Sequence, residues 1–501
     1  MKALANKTVL VLGLGASGLA LARWCVRCGA NVTVADTRAS PPQLKALQEE
    51  LAGVGFIHAQ MGPELLSVAH FDAVLSSPGL SPQSIAGVVD AARAQAIPCG
   101  NELSLFAQAL ADIRDVDGYA PQVIGITGTN GKTTVTSLTA LLVKSAGKTV
   151  AMAGNIGPTL LDTLAQALDA KNGGSALPDV WVLELSSFQL DGVSNFEPTV
   201  ATVLNISQDH LDWHGSLPAY TAAKARVYGN VGLMLLNRDD AAVMAALPPL
   251  VKGKQLRSHF TFGGDEPHRP GDYGIETVNG MAWLVRAAEA DETFKRRKAE
   301  EIVLHIQRYM PVDALRIRGR HNACNALAAL ALASAAGCSL APMLYSLREY
   351  RGEPHRVEPV AVVNEVEYFD DSKGTNVGAT VAALAGLGAD RKLIVILGGE
   401  GKGQDFSALA EPVARYTRAA VLIGRDAALI EAALQNTAVP VVHAASMGEA
   451  VALATRYAHA GDAVLMSPAC ASFDMFDNYE HRARVFCEAV QDLAEQQGVV
   501  L

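Results

Sequence analysis

The sequence predicts an α/β protein of three domains: a Rossmann-like N-terminal domain, a central P-loop ATPase-like parallel sheet and a Rossmann-like C-terminal domain. Three observations predict it. Short, almost continuously apolar runs alternate with helix-length apolar-periodic segments, as in parallel sheets covered on both faces. Many of these runs end in loops rich in Gly, Ser, Thr, Asp or Lys, at the strand ends where open α/β sheets bind ligands. Two charged stretches, 111–121 and 348–356, break the alternation in a chain of 501 residues, and that length suits about three domains of ~150 residues. The expected boundaries are 1–113, 114–352 and 353–501.

In the first unit, the apolar run 8–12 is followed by Gly13-Leu-Gly-Ala-Ser-Gly18 and a helix through Arg27. A second strand, 31–35, ends at Asp36, and Asp36-Thr37-Arg38 form a polar rim. A strand over 71–75 ends in Ser76-Ser77-Pro78-Gly79. Glycine loop plus distant Asp is the dinucleotide pattern. By itself it certifies only a βαβ turn that can approach a phosphate or a sugar. Cys25-x-x-Cys28 lies on the first helix with no second pair at metal spacing, so it reads as two helix cysteines.

The second unit opens with strand 123–126, then Gly128-Thr129-Asn130-Gly131-Lys132-Thr133-Thr134, then an apolar-periodic helix over 135–143. Glycines let backbone N–H groups approach phosphates, the helix N-terminus adds its positive end, the Lys reaches the terminal phosphates, and a Thr hydroxyl can ligate Mg²⁺. The first glycine of the strict P-loop pattern would fall at Ile126. Strand 149–152 and the loop Ala153-Gly-Asn155-Ile-Gly157 follow. Strand 180–183 runs into Glu184, where an acidic group of a P-loop unit handles Mg²⁺. After strand 199–205, Asp209, His210, Asp212 and His214 suggest metal or proton chemistry, and Lys224 sits on a helix beyond them. The stretch 263–308 is less patterned, and its charged part, 287–302, reads as a solvated helix or insertion. Asn322 and Asn325 share one face at the start of an Ala-rich helix.

The third unit restarts with strands 360–363 and 367–369, leading to Asp370-Asp371-Ser-Lys373-Gly-Thr375-Asn376. Strands 393–397, 419–423 and 463–466 end in Gly398-Gly-Glu-Gly-Lys402-Gly403, Gly424 and Ser467-Pro-Ala-Cys-Ala-Ser472-Phe-Asp474. Loops gathered on one rim suit a small anion such as an amino-acid carboxylate.

Lys plus Arg number 41 against 51 Asp plus Glu, a net charge of -10, which argues against nucleic acid as a partner. No apolar run reaches the ~20 residues of a membrane span. Met1-Lys-Ala-Leu-Ala-Asn6 runs straight into a strand with no signal-peptide pattern, and seven sparse cysteines suggest thiols. The expectation is a cytoplasmic monomer acting on small molecules.

With these residues in view the chain resembles the Mur ligases. Gly128 to Thr134, Glu184-Leu-Ser-Ser-Phe-Gln-Leu190, Asp371-Ser-Lys-Gly-Thr-Asn376 and Ser467-Pro-Ala-Cys-Ala-Ser472 carry the resemblance, the last three resembling the branch that adds D-glutamate. It implies an ATP-dependent ligase joining D-glutamate to UDP-N-acetylmuramoyl-L-alanine through an acyl phosphate, in peptidoglycan precursor synthesis. Ala16, Ser17, Asp36, Thr37, Arg38, Ser77, Gly79 and Asn155 would face the UDP-sugar. Gly128 to Thr134, with Asn322, Asn325, Arg356 and Asp371, would hold ATP. Thr133, Glu184, His210 and a carbamylated Lys224 would serve two Mg²⁺ ions, with Lys132, Glu184, His210 and Lys224 as the catalytic set. Lys373, Thr375, Lys402, Ser472 and Tyr479 would hold D-glutamate, and Asp209-His210 are the nearest candidates to manage the amine's proton. A nicotinamide-dependent dehydrogenase would leave the second and third units unexplained. Folylpolyglutamate synthase would not need a unit ahead of the P-loop, and a nucleotide-switched binding module would have no use for Glu184, His210 and Lys224 together.

Overall fold

A computed structural model describes residues 4–289, 303–389 and 391–499. Strands β1 (Thr8–Leu12), β2 (Asn31–Asp36), β3 (Gly55–His58), β4 (Ala73–Ser76) and β5 (Cys99–Asn101) form the first sheet, in the order β3-β2-β1-β4-β5. All its pairs are parallel. Val9 to Leu12 are fully buried, because helices cover both faces and an unbroken apolar run is what such a strand needs. The order reverses between β1 and β4, so the loops at Gly13 and Ser77 share one crevice. Gly18 is required there, since an added Cβ would lie 2.0 Å from the Gly13 carbonyl oxygen.

The break expected over 111–121 is a correction. Helix Glu102–Asp117 runs through most of it and ends at Gly118, whose φ of 68° takes the left-handed turn. Arg114, Asp115 and Asp117 near its end face water, while Phe106, Ala109 and Ile113 form a buried stripe at helical spacing.

The central sheet has six parallel strands, β6 (Gln122–Thr127), β7 (Val150–Gly154), β8 (Val180–Glu184), β9 (Val200–Val203), β10 (Leu233–Asn237) and β11 (His259–Phe262), ordered β11-β10-β9-β6-β8-β7. A small antiparallel sheet follows: β12 (Tyr273–Val278), β13 (Met281–Glu289) and β14 (Leu304–Pro311). This corrects the helix expected over 287–302 as far as Glu289, which ends a strand; 290–302 lie outside the described residues.

In the last sheet β15 (Glu358–Val363) and β16 (Val366–Asp370) form an antiparallel hairpin. Asn364 and Glu365, at φ 50° and 61°, make the tight turn that matches strand twist. The parallel strands β17 (Leu393–Gly398), β18 (Thr417–Ile423), β19 (Val441–His443) and β20 (Ala463–Met466) complete the order β15-β16-β20-β17-β18-β19.

The first two units share one hydrophobic core, in which Leu21, Trp24 and Phe106 belong to the same cluster as Leu164, Trp181 and Leu185. Arg23 and Arg27 pair with Asp162 and Asp169 across the same seam. The C-terminal sheet has its own two cores, one on each face. No helix among the described residues is long and apolar enough to cross a membrane.

Candidate functional site

The loop after β6 is built for close approach. Gly128 has φ 155° and Gly131, the N-cap of helix Lys132–Ser145, has φ 82°. A Cβ on Gly128 would meet Leu204 at 2.9 Å, and one on Gly131 would meet Asn325 Oδ1 at 2.9 Å. Only glycine fits both the torsion and the space. Asn130 N–H donates to Asn205 Oδ1 at 2.8 Å, and Asn205 Nδ2 donates back to the Asn130 carbonyl at 3.0 Å. Thr129 Oγ1 accepts from Ser207 N–H at 3.0 Å and shares a 3.0 Å hydrogen bond with the Tyr220 hydroxyl.

Two lysines meet on one carbonyl. Lys132 Nζ donates to the oxygens of Gly128 and Thr129, both at 2.8 Å. Lys224 Nζ donates to the same Gly128 oxygen at 2.8 Å and to Thr127 Oγ1 at 3.3 Å. Burial, then the neighbouring Lys132 charge, push the Lys224 amine well below the usual lysine range. Burial also lowers Lys132, against the pull of Glu184.

Glu184 ends β8 and is 1% exposed. Its Oε1 accepts from Asn155 Nδ2 at 2.8 Å, while its buried Oε2 has no hydrogen-bond partner among the described residues. A buried carboxylate oxygen left unpaired is costly unless a ligand completes it. His210, at φ 52°, starts the short helix Leu211–His214. Its ring meets Phe188 edge-on, 4.7 Å between centroids, and its Nε2 lies 3.7 Å from Asp209 Oδ2. Burial lowers this imidazole, and the charges of Lys132 and Lys224 lower it further against Asp209. The predicted set Lys132, Glu184, His210 and Lys224 therefore occupies one mouth.

The C-terminal unit reaches into that mouth. Arg356 Nη2 donates to Thr133 Oγ1 at 2.7 Å. Asn130 and Asn376 exchange amide hydrogen bonds of 3.3 and 3.1 Å. Asn325 sits against Gly131 and donates to Asn322 Oδ1 at 3.1 Å. Buried Asp371 accepts from Ser467 Oγ at 2.6 Å, and burial pushes its carboxyl up to about 7. Lys373 Nζ lies 3.6 Å from the centroid of the Tyr479 ring, and burial, with Arg356 nearby, brings it down to about 8. Thr134 is buried at the start of the loop helix. Thr375 N–H bonds the Lys373 carbonyl at 2.9 Å. Lys402 Nζ is 5.6 Å from the centroid of the Phe473 ring, and the neighbouring Ser472 is buried. Among the described residues no hydrogen bond links either to the phosphate loop.

The N-terminal residues gather at the crevice between β1 and β4. Ala16 and Ser17 open the first helix after Gly15. Asp36 accepts from Leu14 N–H at 2.7 Å and from the Arg38 guanidinium twice at 2.8 Å. Those Arg38 hydrogen bonds, then the backbone N–H groups, hold its carboxyl down at about 2 against the effect of burial. Thr37 lies between the paired residues, and Ser77 and Gly79 form the turn across the crevice. A cavity of about 900 Å³, lined by Ser77, Asn101, Phe188 and Trp213 among others, runs between the first two units. Asn155 is the outlier of this group, with its side-chain amide on Glu184.

Sequence reasoning assigned no role to Asn205, Tyr220 or Asn376, which hold the loop from three directions. Asn376 lay inside a quoted motif, but its partner is 246 positions away, which no local pattern reveals.

Family models match along most of the chain. A Mur ligase MurD-like N-terminal domain covers 7–99, a Mur ligase middle domain 126–333 and a Mur ligase glutamate ligase domain 355–470. The chain is 66% identical to a UDP-N-acetylmuramoylalanine--D-glutamate ligase of Albidiferax ferrireducens, over 99% of this chain and 98% of that one. It is 55% identical to the protein of that name from Burkholderia mallei, over 98% of each. Among solved structures, MurF ligase from Thermotoga maritima in complex with ADP superposes with a TM-score of 0.58 at 14% identity, covering 99% of this chain and 100% of that one. UDP-N-acetylmuramate-alanine ligase MurC of the same organism gives 0.53 at 18% identity, covering 97% and 100%. At such identities these two speak to the fold alone.

Proposed function

The chain belongs to the Mur ligase family, and we propose that it joins D-glutamate to UDP-N-acetylmuramoyl-L-alanine at the expense of ATP, in peptidoglycan precursor synthesis in the cytoplasm. Relatives of that name align over nearly the whole chain, and the matched glutamate ligase domain supports the same acceptor chemistry. The geometric observation that carries the reading is a single mouth where the P-loop lysine, a half-satisfied Glu184 and Arg356 of the C-terminal unit meet.

An amide cannot form from a carboxylate until oxygen becomes a better leaving group. The substrate carboxylate takes the terminal phosphoryl group of ATP, giving an acyl phosphate and ADP. The amine of D-glutamate then attacks the carbonyl carbon, and the tetrahedral intermediate collapses with loss of phosphate. Such a reaction is governed by alignment and by neutralising the anions that meet. Lys132 leaves the Gly128 and Thr129 carbonyls to reach the phosphates. Arg356 and the helix N-terminus add positive charge, and Asn322, Asn325 and Asp371 orient the nucleotide. Thr133, Glu184, His210 and Lys224 would hold Mg²⁺, which supplies charge neutralisation at the phosphoryl oxygens. The unpaired Glu184 Oε2 fits that role. Lys224 fits it once carbamylated: its buried, proton-poor amine suits CO₂ addition, which replaces an ammonium with an anionic oxygen donor. Labelled bicarbonate followed by NMR checks for that carbamate.

The UDP end lies against Ala16, Ser17, Asp36, Thr37, Arg38, Ser77 and Gly79, with Asn155 beside Glu184. Lys373, Thr375, Lys402, Ser472 and Tyr479 receive D-glutamate. Closure of the C-terminal unit carries all five toward the phosphate loop, and the enzyme works as a monomer. The deciding experiment measures phosphate release from ATP with UDP-N-acetylmuramoyl-L-alanine while amino acids are added one at a time. Release should require D-glutamate. Equal release with L-alanine or a diamino acid would overturn the substrate assignment.

A further inference from the structure

Outside the residues assigned above, His355, Glu358 and Asp370 bring three potential ligand atoms within 4.8 Å of one another. Each atom already has a protein partner. His355 Nδ1 lies 2.6 Å from Asp370 Oδ2, Asp370 Oδ1 accepts from Ser372 N–H at 2.8 Å, and Glu358 Oε2 accepts from His355 N–H at 2.8 Å. That is the arrangement of an oriented imidazole, not of an open ion site. Asp370 is fully buried at the end of β16. An ionised carboxylate there only accepts, so the ring hydrogen sits on Nδ1 and the lone pair on Nε2. Nε2 has no hydrogen-bond partner among the described residues.

The backbone is strained at this point. His355 has φ 63° and Val357 φ 52°, and the left-handed region is a strained conformation for a β-branched residue. The contorted tripeptide puts Arg356 on Thr133 of the phosphate loop at 2.7 Å. It also puts the His355 ring at 6.1 Å from the Tyr479 ring, the ring on which the Lys373 ammonium rests. His355 thus lies between the nucleotide loop and the residues assigned to the amino acid.

We propose that His355 is the base that takes a proton from the incoming amino group, and that Asp370 is its positioning residue. The inference rests on the ligase reading given above. The α-ammonium of the amino acid gives one proton to Nε2. The freed amine forms the C–N bond to the acyl phosphate carbon, the nitrogen gives its second proton to the departing phosphate as the C–O bond breaks, and the first proton passes from Nε2 to solvent. His210 is the weaker candidate, because the reading above assigns it to the metal set with Thr133, Glu184 and Lys224. The charged and titratable groups around His355 and Asp370 are Glu358 on β15, Asp371 and Lys373 on the loop after β16, Arg356 beside the ring, and Tyr479, Arg482 and Cys487 on the last helix.

Hydroxylamine separates this step from the rest, because it is unprotonated at neutral pH and captures acyl phosphates without a base. In His355→Gln, D-glutamate ligation should fall roughly 100-fold or more while hydroxamate formation from UDP-N-acetylmuramoyl-L-alanine and ATP stays within about twofold of wild type. Asp370→Asn should move the acid limb of the D-glutamate kcat profile to lower pH, since it removes the negative charge that an imidazolium at this position would face at 2.6 Å. Equal loss of hydroxamate and amide, or undiminished ligation, overturns the proposal. Should His355→Gln fail to fold by circular dichroism, an unmoved acid limb in Asp370→Asn overturns it instead. A wild-type protein that makes neither product would refute the ligase reading itself.

Discussion

Gly128 offers one carbonyl to two lysine side chains, Lys132 and Lys224, so at the level of single residues both converge on the loop that Lys132 serves. Lys132→Ala should lower ATP-dependent phosphate release by at least about 10³-fold, because the lost charge faces the transferring group. Circular dichroism and the thermal midpoint should stay near wild type. A fully active variant would remove the cradle assignment. Glu102 gives a second test. It is 1% exposed, its Oε1 accepts from Leu161 N–H at 3.0 Å across the seam between the first two units, and the Ser17 side chain lies close to the carboxyl. Burial raises its carboxyl from 4.5 to about 6. A raised carboxyl favours folding while it is protonated. Its contribution is therefore full below pH ~4.5 and lost as pH rises through ~6, a loss of about 2 kcal/mol. Glu102→Gln should be more stable than wild type at pH 8 by up to about 2 kcal/mol in urea unfolding, with the pH 4.5–6 slope flattened. Lys132 and Glu184 could be singled out as candidates because a strand end followed by a glycine loop exposes its chemistry locally. His355 could not, since its pairing is with Asp370, 15 residues further on.

Among the elements, the first helix depends on the turn that feeds it. Gly18→Ala gains helix propensity but forces a Cβ to 2.0 Å from the Gly13 carbonyl, so it should destabilise by about 1–3 kcal/mol. It should also raise the KM for the UDP-substrate more than that for ATP, because the distorted crevice lies apart from the phosphate loop. Equal KM values in mutant and wild type would show that the turn is not part of that site. Strands buried on both faces were legible, as with Val9 to Leu12 and Leu393 to Leu397. Short edge strands such as Gly55–His58 and Cys99–Asn101 were not, since their pairing is supplied by neighbours and not by apolar content. Helix Glu102–Asp117 looked like a linker because its polar face carries the charges that composition counts, while the stripe Phe106, Ala109 and Ile113 appears only at helical period.

For the molecule as a whole, three similar-looking units resolve into two bodies. The continuous core across the first two makes them one cooperative piece, whereas the third joins through polar contacts such as Arg356–Thr133 and Asn130–Asn376. Closure should therefore be a swing of the C-terminal unit about residues 350–357, with the first seam static. Calorimetry should resolve two transitions, of which nucleotide shifts both only when the two pieces are in contact. Small-angle scattering should show compaction with ATP analogue and UDP-substrate. Identical profiles with and without ligand would rule out the swing. The merged core also decides how the protein can be cut. A fragment ending near Gly118 would expose the flank of Leu21, Trp24 and Phe106 that Leu164 and Trp181 now cover, and it would precipitate or self-associate. A screen for ligands of the cavity between the first two units would need at least the first two-thirds of the polypeptide, whereas the last third, with its own two cores, could be produced alone.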